Sequence, residues 1–218
     1  MNQKKNYHHG DLRKQLLETA LQIISEQGLE KVSMRGLGQR LGVSRTAPYR
    51  HFSDKNELLC ALAEEGYRTF TKNINALNKK TSVPPLERLR HVGFSYLEFA
   101  LANPVHYRLM FGHEILKNKR TPELVKLAEE AFSGTIYAIE MCQEAKLIRP
   151  INPYIIANAL WSMSHGISTL INDGQIQAAN AFKGLPALTQ KNEVTGEPDV
   201  QQIFHHITDT LMNGFIEK

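Results

Sequence analysis

The sequence predicts an all-α protein: an N-terminal three-helix helix-turn-helix head, a connecting helix and a C-terminal helical bundle. Three observations carry that prediction. Apolar residues recur with a spacing of about 3.6 residues along nearly the whole chain, and the period-2 alternation typical of strands is rare. Capping residues stand directly before proline at Asn103-Pro104, Thr121-Pro122 and Asn152-Pro153, a pattern that opens helices. Positive charge gathers at one end: residues 1–80 hold 14 Lys and Arg against 8 Asp and Glu, and the remainder 12 against 14. Such a head either presents a solvated basic face or binds a polyanion.

Taken in order, Leu12, Leu16, Ala20, Ile23 and Ile24 make a first apolar stripe, which Gly28 ends. Ser33 is placed to cap a short second helix with Met34, Leu37 and Leu41 facing inward. Gly42 breaks the chain, Val43 is apolar, and Ser44 is placed to cap a third helix ending near Phe52. Ser53 is placed to cap a longer fourth helix, lined by Leu59, Leu62, Gly66, Phe70, Ile74 and Leu77. Pro84 and Pro85 mark the expected junction between a domain at 10–70 and another at 85–218.

Beyond the junction, helices are expected at about 85–102, from Pro104, at 122–146 and at 153–172. A capping box, Asp199 with Gln202, opens a last amphipathic helix through Val200, Ile203, Phe204, Ile207, Leu211 and Phe215. Residues 178–198 have little periodicity and read as a loop or short arm.

Several function classes fall away. Cys60 and Cys142 have no CxxC spacing and fit a reducing compartment. The N-terminus has no apolar core and is not a secretory signal. Residues 152–172 approach membrane-spanning length, but Asn158, Ser162, Ser164, His165, Ser168 and Thr169 make a buried central helix the better reading. A cytoplasmic protein without membrane contact is expected. The adjacent pairs His8-His9 and His205-His206 point to different faces of a helix, so no metal is expected. No nucleophile elbow, phosphate loop or spaced carboxylate pair is evident, so neither an enzyme nor a cofactor is expected.

Two short helices joined by "LGVS" read as a helix-turn-helix over about 33–52, whose second helix enters the DNA major groove. Arg45 suits a guanine or a phosphate, and Thr46 a base edge or the backbone. Pro48, at the end of the first turn, is expected to stiffen the groove-facing edge and offer its ring to a thymine methyl. The tips of Tyr49 and His51 suit phosphates, and Lys55 meets the same backbone from the next helix. Ser33, Arg35 and Ser44 complete the candidate DNA contacts. Further along, Trp161 and His165 lie one turn apart. With Phe94, Leu97, Tyr107, Met110, Phe111, Ile136 and Ile139 they form either a ligand pocket or plain core. A non-specific nucleic-acid binder, and an all-helical enzyme or small-molecule binder with its site near His165, stay open as alternatives.

The ordered set "G…E.VSMR", "LGVSR", "Y.HF" and "DK.EL", across about residues 10–70, resembles the DNA-binding head of TetR-type transcriptional regulators. "ANPVHYRLMFG" followed by "LWSMSHG" resembles an effector-domain subgroup named for a Trp-His-Gly signature, here Trp161, His165 and Gly166. Two positions depart from the pattern: Gly36 stands where an acid commonly completes a capping box, and Gly38 replaces a usual alanine. Each weakens the second helix by about 1 kcal/mol. The resemblance implies a homodimer built through the last two helices and bound to double-stranded DNA at a palindromic operator. It also implies a small-molecule effector held in the body, whose binding relieves repression.

Overall fold

A computed structural model describes residues 9–112, 115, 119–175 and 200–216. The expected loop at 178–198 lies outside the described residues, as do the side chains of Val200, Ile203, Phe204, Ile207 and Leu211. The chain is all-α, as predicted. Its helices are α1 (His9–Gln27), α2 (Met34–Arg40), α3 (Lys55–Asn78), α4 (Pro85–Ala102), α5 (Pro104–Phe111), α6 (Pro122–Glu144), α7 (Pro153–Asn172) and α8 (Val200–Asn213). Short 3-10 turns stand at Leu29–Lys31 and Pro48–Arg50. Among the described residues, no helix is long and apolar enough to cross a membrane.

The contacts group the chain into two compact units, Met1–Tyr67 with Val105–Lys126, and Arg68–Pro104 with Leu127–Lys218. The proline pair at the expected junction therefore falls inside the second unit, and α3 contributes to both.

In the first unit the α1 stripe is buried as its spacing requires, and Gly28 ends the helix with φ 96°, a conformation that costs glycine least. The Ser33 hydroxyl accepts the Gly36 N–H at 3.1 Å and caps α2. A Cβ on Gly36 would stand 2.8 Å from that hydroxyl, so glycine there leaves the cap undisturbed. Gly42, at φ 68°, makes the turn that follows.

Three local expectations need correction. The third helix is not an α-helix. Its bonds run Ala47 N–H to Ser44 O, Tyr49 N–H to Thr46 O, Arg50 N–H to Ala47 O and His51 N–H to Pro48 O, at 3.0–3.2 Å, with Phe52 N–H also reaching Pro48 O at 3.1 Å where the segment ends. That is the i→i−3 pattern of a 3-10 helix, and Pro48, lacking an N–H, cannot make the α-type bond to Ser44.

The cap of α3 is Asp54 rather than Ser53. Asp54 Oδ1 accepts the Glu57 N–H at 2.8 Å, and the Glu57 carboxylate reaches back to accept the Ser53 N–H at 2.6 Å. That bond holds the Glu57 carboxyl below the usual carboxylate range, with Arg13 adding to the effect.

Asn103 serves the end of α4, not the start of α5: its backbone and side-chain N–H groups donate to Phe99 O. Thr121 and Asn152 do cap as expected, accepting the N–H groups of Leu124 and Tyr154.

The first half of α3 is buried nearly all round, from Leu58 through Glu64. The residues ahead of α6 hold it there. Asn56 donates to Lys119 O at 2.9 Å, and Thr121 donates to the Glu64 carboxylate at 2.7 Å. In the second unit α4 packs chiefly on α7, and both meet α8. Leu97, Ile167 and Ile171 make a core cluster with Phe94 and Met163 against it.

Candidate nucleic-acid interface

The helix-turn-helix presents its polar residues outward. Ser33, Arg35, Ser44, Arg45, Thr46 and Tyr49 are exposed, and His51 and Lys55 are half-buried. The placement of Ser44 through His51 follows from the turn. Gly42 reverses the chain, Val43 N–H bonds to Gly38 O at 2.9 Å, and the segment Ser44–His51 then emerges beside α2. The hydroxyls of Ser44 and Thr46 lie 3.3 Å apart, so one orients the other.

Two sequence-derived roles change. Pro48 is buried, with its ring over Gly38, so it does not offer a face to a thymine methyl. The Lys55 ammonium donates to Leu29 O at 2.8 Å and ties α3 to the turn after α1. It is first a strut of the head, and only its remaining protons face elsewhere. One residue was missed: Arg50 is exposed on the same short 3-10 helix as Tyr49. The signal for it was a cationic side chain standing between Tyr49 and His51 in the same segment.

From the surface side, the exposed Arg13 covers the Phe52 ring at 5.1 Å to the centroid. This closes the apolar floor beneath the segment, since Phe52 is itself buried.

The candidate pocket residues are shared between the two units. Tyr107, Met110 and Phe111 belong to the first unit; there Tyr107 and Tyr67 pack on Phe111, and the Tyr67 hydroxyl donates to Met110 O at 3.4 Å. Phe94, Leu97, Ile136, Ile139, Trp161 and His165 belong to the second. Leu97 and Ile139 are fully buried, the bland core reading of that stripe, whereas Trp161 is 40% exposed. His165 Nδ1 lies 3.0 Å from the Tyr96 hydroxyl, and Trp161 lies beside it with ring centroids 5.8 Å apart. The Tyr96 ring in turn meets Phe70 edge-on at 5.4 Å. Among the described residues, no group of three or more His, Cys, Asp or Glu side chains is placed to hold a metal.

Burial lowers the pKa of His165, so the unfolded chain takes up a proton there at a higher pH than the folded one. Stability is then fully present above the unfolded value of about 6.5 and declines as pH falls towards the lower folded value. His165→Gln should flatten this decline in urea titrations across that window. An unchanged pH slope would assign the acid sensitivity to other groups.

The comparisons agree with this architecture. Residues 16–62 match the family described as bacterial regulatory proteins, tetR family, and residues 89–185 match a tetracyclin repressor-like C-terminal domain. The nucleoid occlusion factor SlmA of Haemophilus ducreyi is 33% identical over 105 residues, 48% of this chain and 52% of SlmA. The chain thus spans about half the length of that relative. The HTH-type transcriptional activator FasR of Mycolicibacterium smegmatis is 25% identical over 175 residues, 79% of this chain and 78% of FasR. A solved protein of unknown function from Rhodococcus sp. RHA1 superposes with a TM-score of 0.76 at 27% identity, covering 98% of this chain and 100% of its own. With a tetR-type head and a repressor-like C-terminal domain in the expected order, the chain belongs to the TetR family of regulatory proteins.

Proposed function

We propose that this protein is a cytoplasmic, sequence-specific transcriptional repressor, bound as a homodimer to a palindromic operator and released by a small-molecule effector. The observation that carries the reading is the exposed run Ser44, Arg45, Thr46, Tyr49 and Arg50 at the tip of a basic helix-turn-helix. Its hydroxyl and guanidinium groups are the donors that read base edges and phosphates.

The test is selection of genomic fragments by the purified protein near physiological salt, with Arg45→Ala in parallel. A shared palindromic motif is expected. Arg45→Ala should weaken binding about 5- to 150-fold, with relaxed preference at one position. Fragments without a common motif, retained equally by the variant, would reduce the head to a general polyanion binder. A reporter driven through the recovered site then gives the sign of regulation, since FasR is named an activator.

The exposed face of α7 supports the dimer. Ile155 is 60% exposed, and Leu170, 48% exposed, follows Gly166 by four positions on the same side, while Tyr154, 57% exposed, and Trp161 lie seven apart along its edge. Ser162 and Gly166 are exposed on the same face, and no atom lies within 4 Å of a Cβ built on Gly166. Small residues flanked by large apolar ones let a second helix approach closely. A symmetric copy of α7 fits this face, and α8 packs on α7 in the same unit. The effector reading rests on the part-buried His165–Tyr96 pair, whose polar tips meet beside the exposed Trp161 ring.

A further inference from the structure

The 3-10 geometry of the recognition segment and its seating on α2 meet at two residues, Pro48 and Gly38. Pro48 has no N–H to give to Ser44 O, and that carbonyl instead accepts from Ala47 at 3.0 Å. The proline ring is buried, and a Cβ on Gly38 would stand 3.3 Å from Pro48 Cγ and 3.4 Å from Ser44 O. Gly38 O also accepts the Val43 N–H at 2.9 Å, so one residue of α2 receives both ends of the turn. The exposed side chains Arg45, Thr46, Tyr49 and Arg50 flank Pro48 on either side.

Helix type determines how those side chains are aimed. An ideal α-helix turns about 100° and rises about 1.5 Å per residue, and a 3-10 helix about 120° and about 2.0 Å. Across the four steps from Arg45 to Tyr49, the two geometries differ by about 80° in direction and about 2 Å along the axis. In the α form Arg45 and Tyr49 share a face. In the 3-10 form Thr46 aligns with Tyr49 and Ala47 with Arg50. A displacement of that size moves a side chain from one base step towards the next.

We propose that Pro48 and Gly38 are positioning residues for base readout. The proline holds the segment in 3-10 geometry, the glycine admits its ring, and together they select which bases Arg45, Thr46, Tyr49 and Arg50 reach. This rests on the DNA-reading function proposed above. Neither residue touches DNA itself.

The test is binding-site selection from a random duplex library by the wild type, Pro48→Ala and Gly38→Ala/Pro48→Ala, with thermal unfolding of each. Pro48→Ala restores the missing N–H and should shift the preferred bases, or lower discrimination at individual positions by about tenfold. The salt dependence of binding should stay the same, because the phosphate-facing charges are unaltered. The double variant fills the space beside residue 38 and restores helix propensity to α2, so its unfolding temperature should return towards wild type. Its altered base preference should persist. That separation of stability from specificity is what a purely structural role would not produce.

If the double variant regains the wild-type base profile along with its stability, or if Pro48→Ala keeps that profile throughout, the inference is wrong while the DNA-reading function stands. If the wild type itself selects no motif, both fall together.

Discussion

Gly166→Glu should leave a folded monomer that has lost its operator. The substitution places a carboxylate between Ser162 and Leu170 on the exposed α7 face that bears Ile155, and in the proposed dimer twofold symmetry brings the two charges near one another. An unpaired charge buried in an interface costs about 3–5 kcal/mol, which raises the dimer dissociation constant by about two to nearly four orders of magnitude. Within one chain the same carboxylate is harmless. A Cβ at 166 meets nothing within 4 Å, and replacing a helix-interior glycine gains up to about 1 kcal/mol of helix propensity. Sedimentation should therefore show a monomer with undiminished helix content. Operator binding should collapse, because one head alone loses the effective concentration supplied by the other. A dimer of unchanged affinity would place the partner's seat elsewhere on the molecule.

Thr121→Val is expected to destabilise the first unit by about 2–4 kcal/mol, although it preserves shape and volume. The Thr121 hydroxyl has two tasks. It accepts the Leu124 N–H at 3.1 Å as the cap of α6, and it donates to the Glu64 carboxylate at 2.7 Å. Losing the cap costs about 0.5–2 kcal/mol, and removing a donor from a buried carboxylate costs about 1–3 kcal/mol more. Glu64 is buried on α3, one turn beyond Cys60, whose thiol burial pushes up in pKa, so water does not readily replace the lost hydroxyl. Urea unfolding gives the loss directly. Combining the change with Glu64→Leu should cost less than the sum of the two single changes, because no carboxylate is then left short of a donor. A single-variant loss under about 0.5 kcal/mol would mean that the carboxylate is held by its other contacts alone.

Much of this arrangement was legible in local pattern. The stripe from Leu12 to Ile24, the Ser33, Thr121 and Asn152 caps and the Gly28 and Gly42 breaks all stand where spacing placed them. Each depends on residues within a turn or two of one another, which a sequence records directly. The candidate contacts were less legible. Arg45, Thr46 and Tyr49 emerge exposed, but Pro48 turned inward, because what it packs against is Gly38, ten residues away across the turn. A lysine at a helix start points to a phosphate contact at Lys55, yet its ammonium reaches back to Leu29 O. Asp54 displaced Ser53 as the cap because Glu57 can then close the box from the other side.

By itself, then, the sequence determined the all-α class, the order of the helices, the basic head and the family resemblance, since all of these reside in periodicity, charge and short motifs. Only the tertiary structure decided three further matters. It made the recognition segment a 3-10 helix seated on Gly38, divided the aromatic candidates between two units, and left the Trp161 face of α7 exposed while burying Leu97 and Ile139. The physical reason is common to all three. Whether an apolar side chain is core, pocket or interface depends on what distant segments bring against it, and hydrophobic attraction carries no direction of its own.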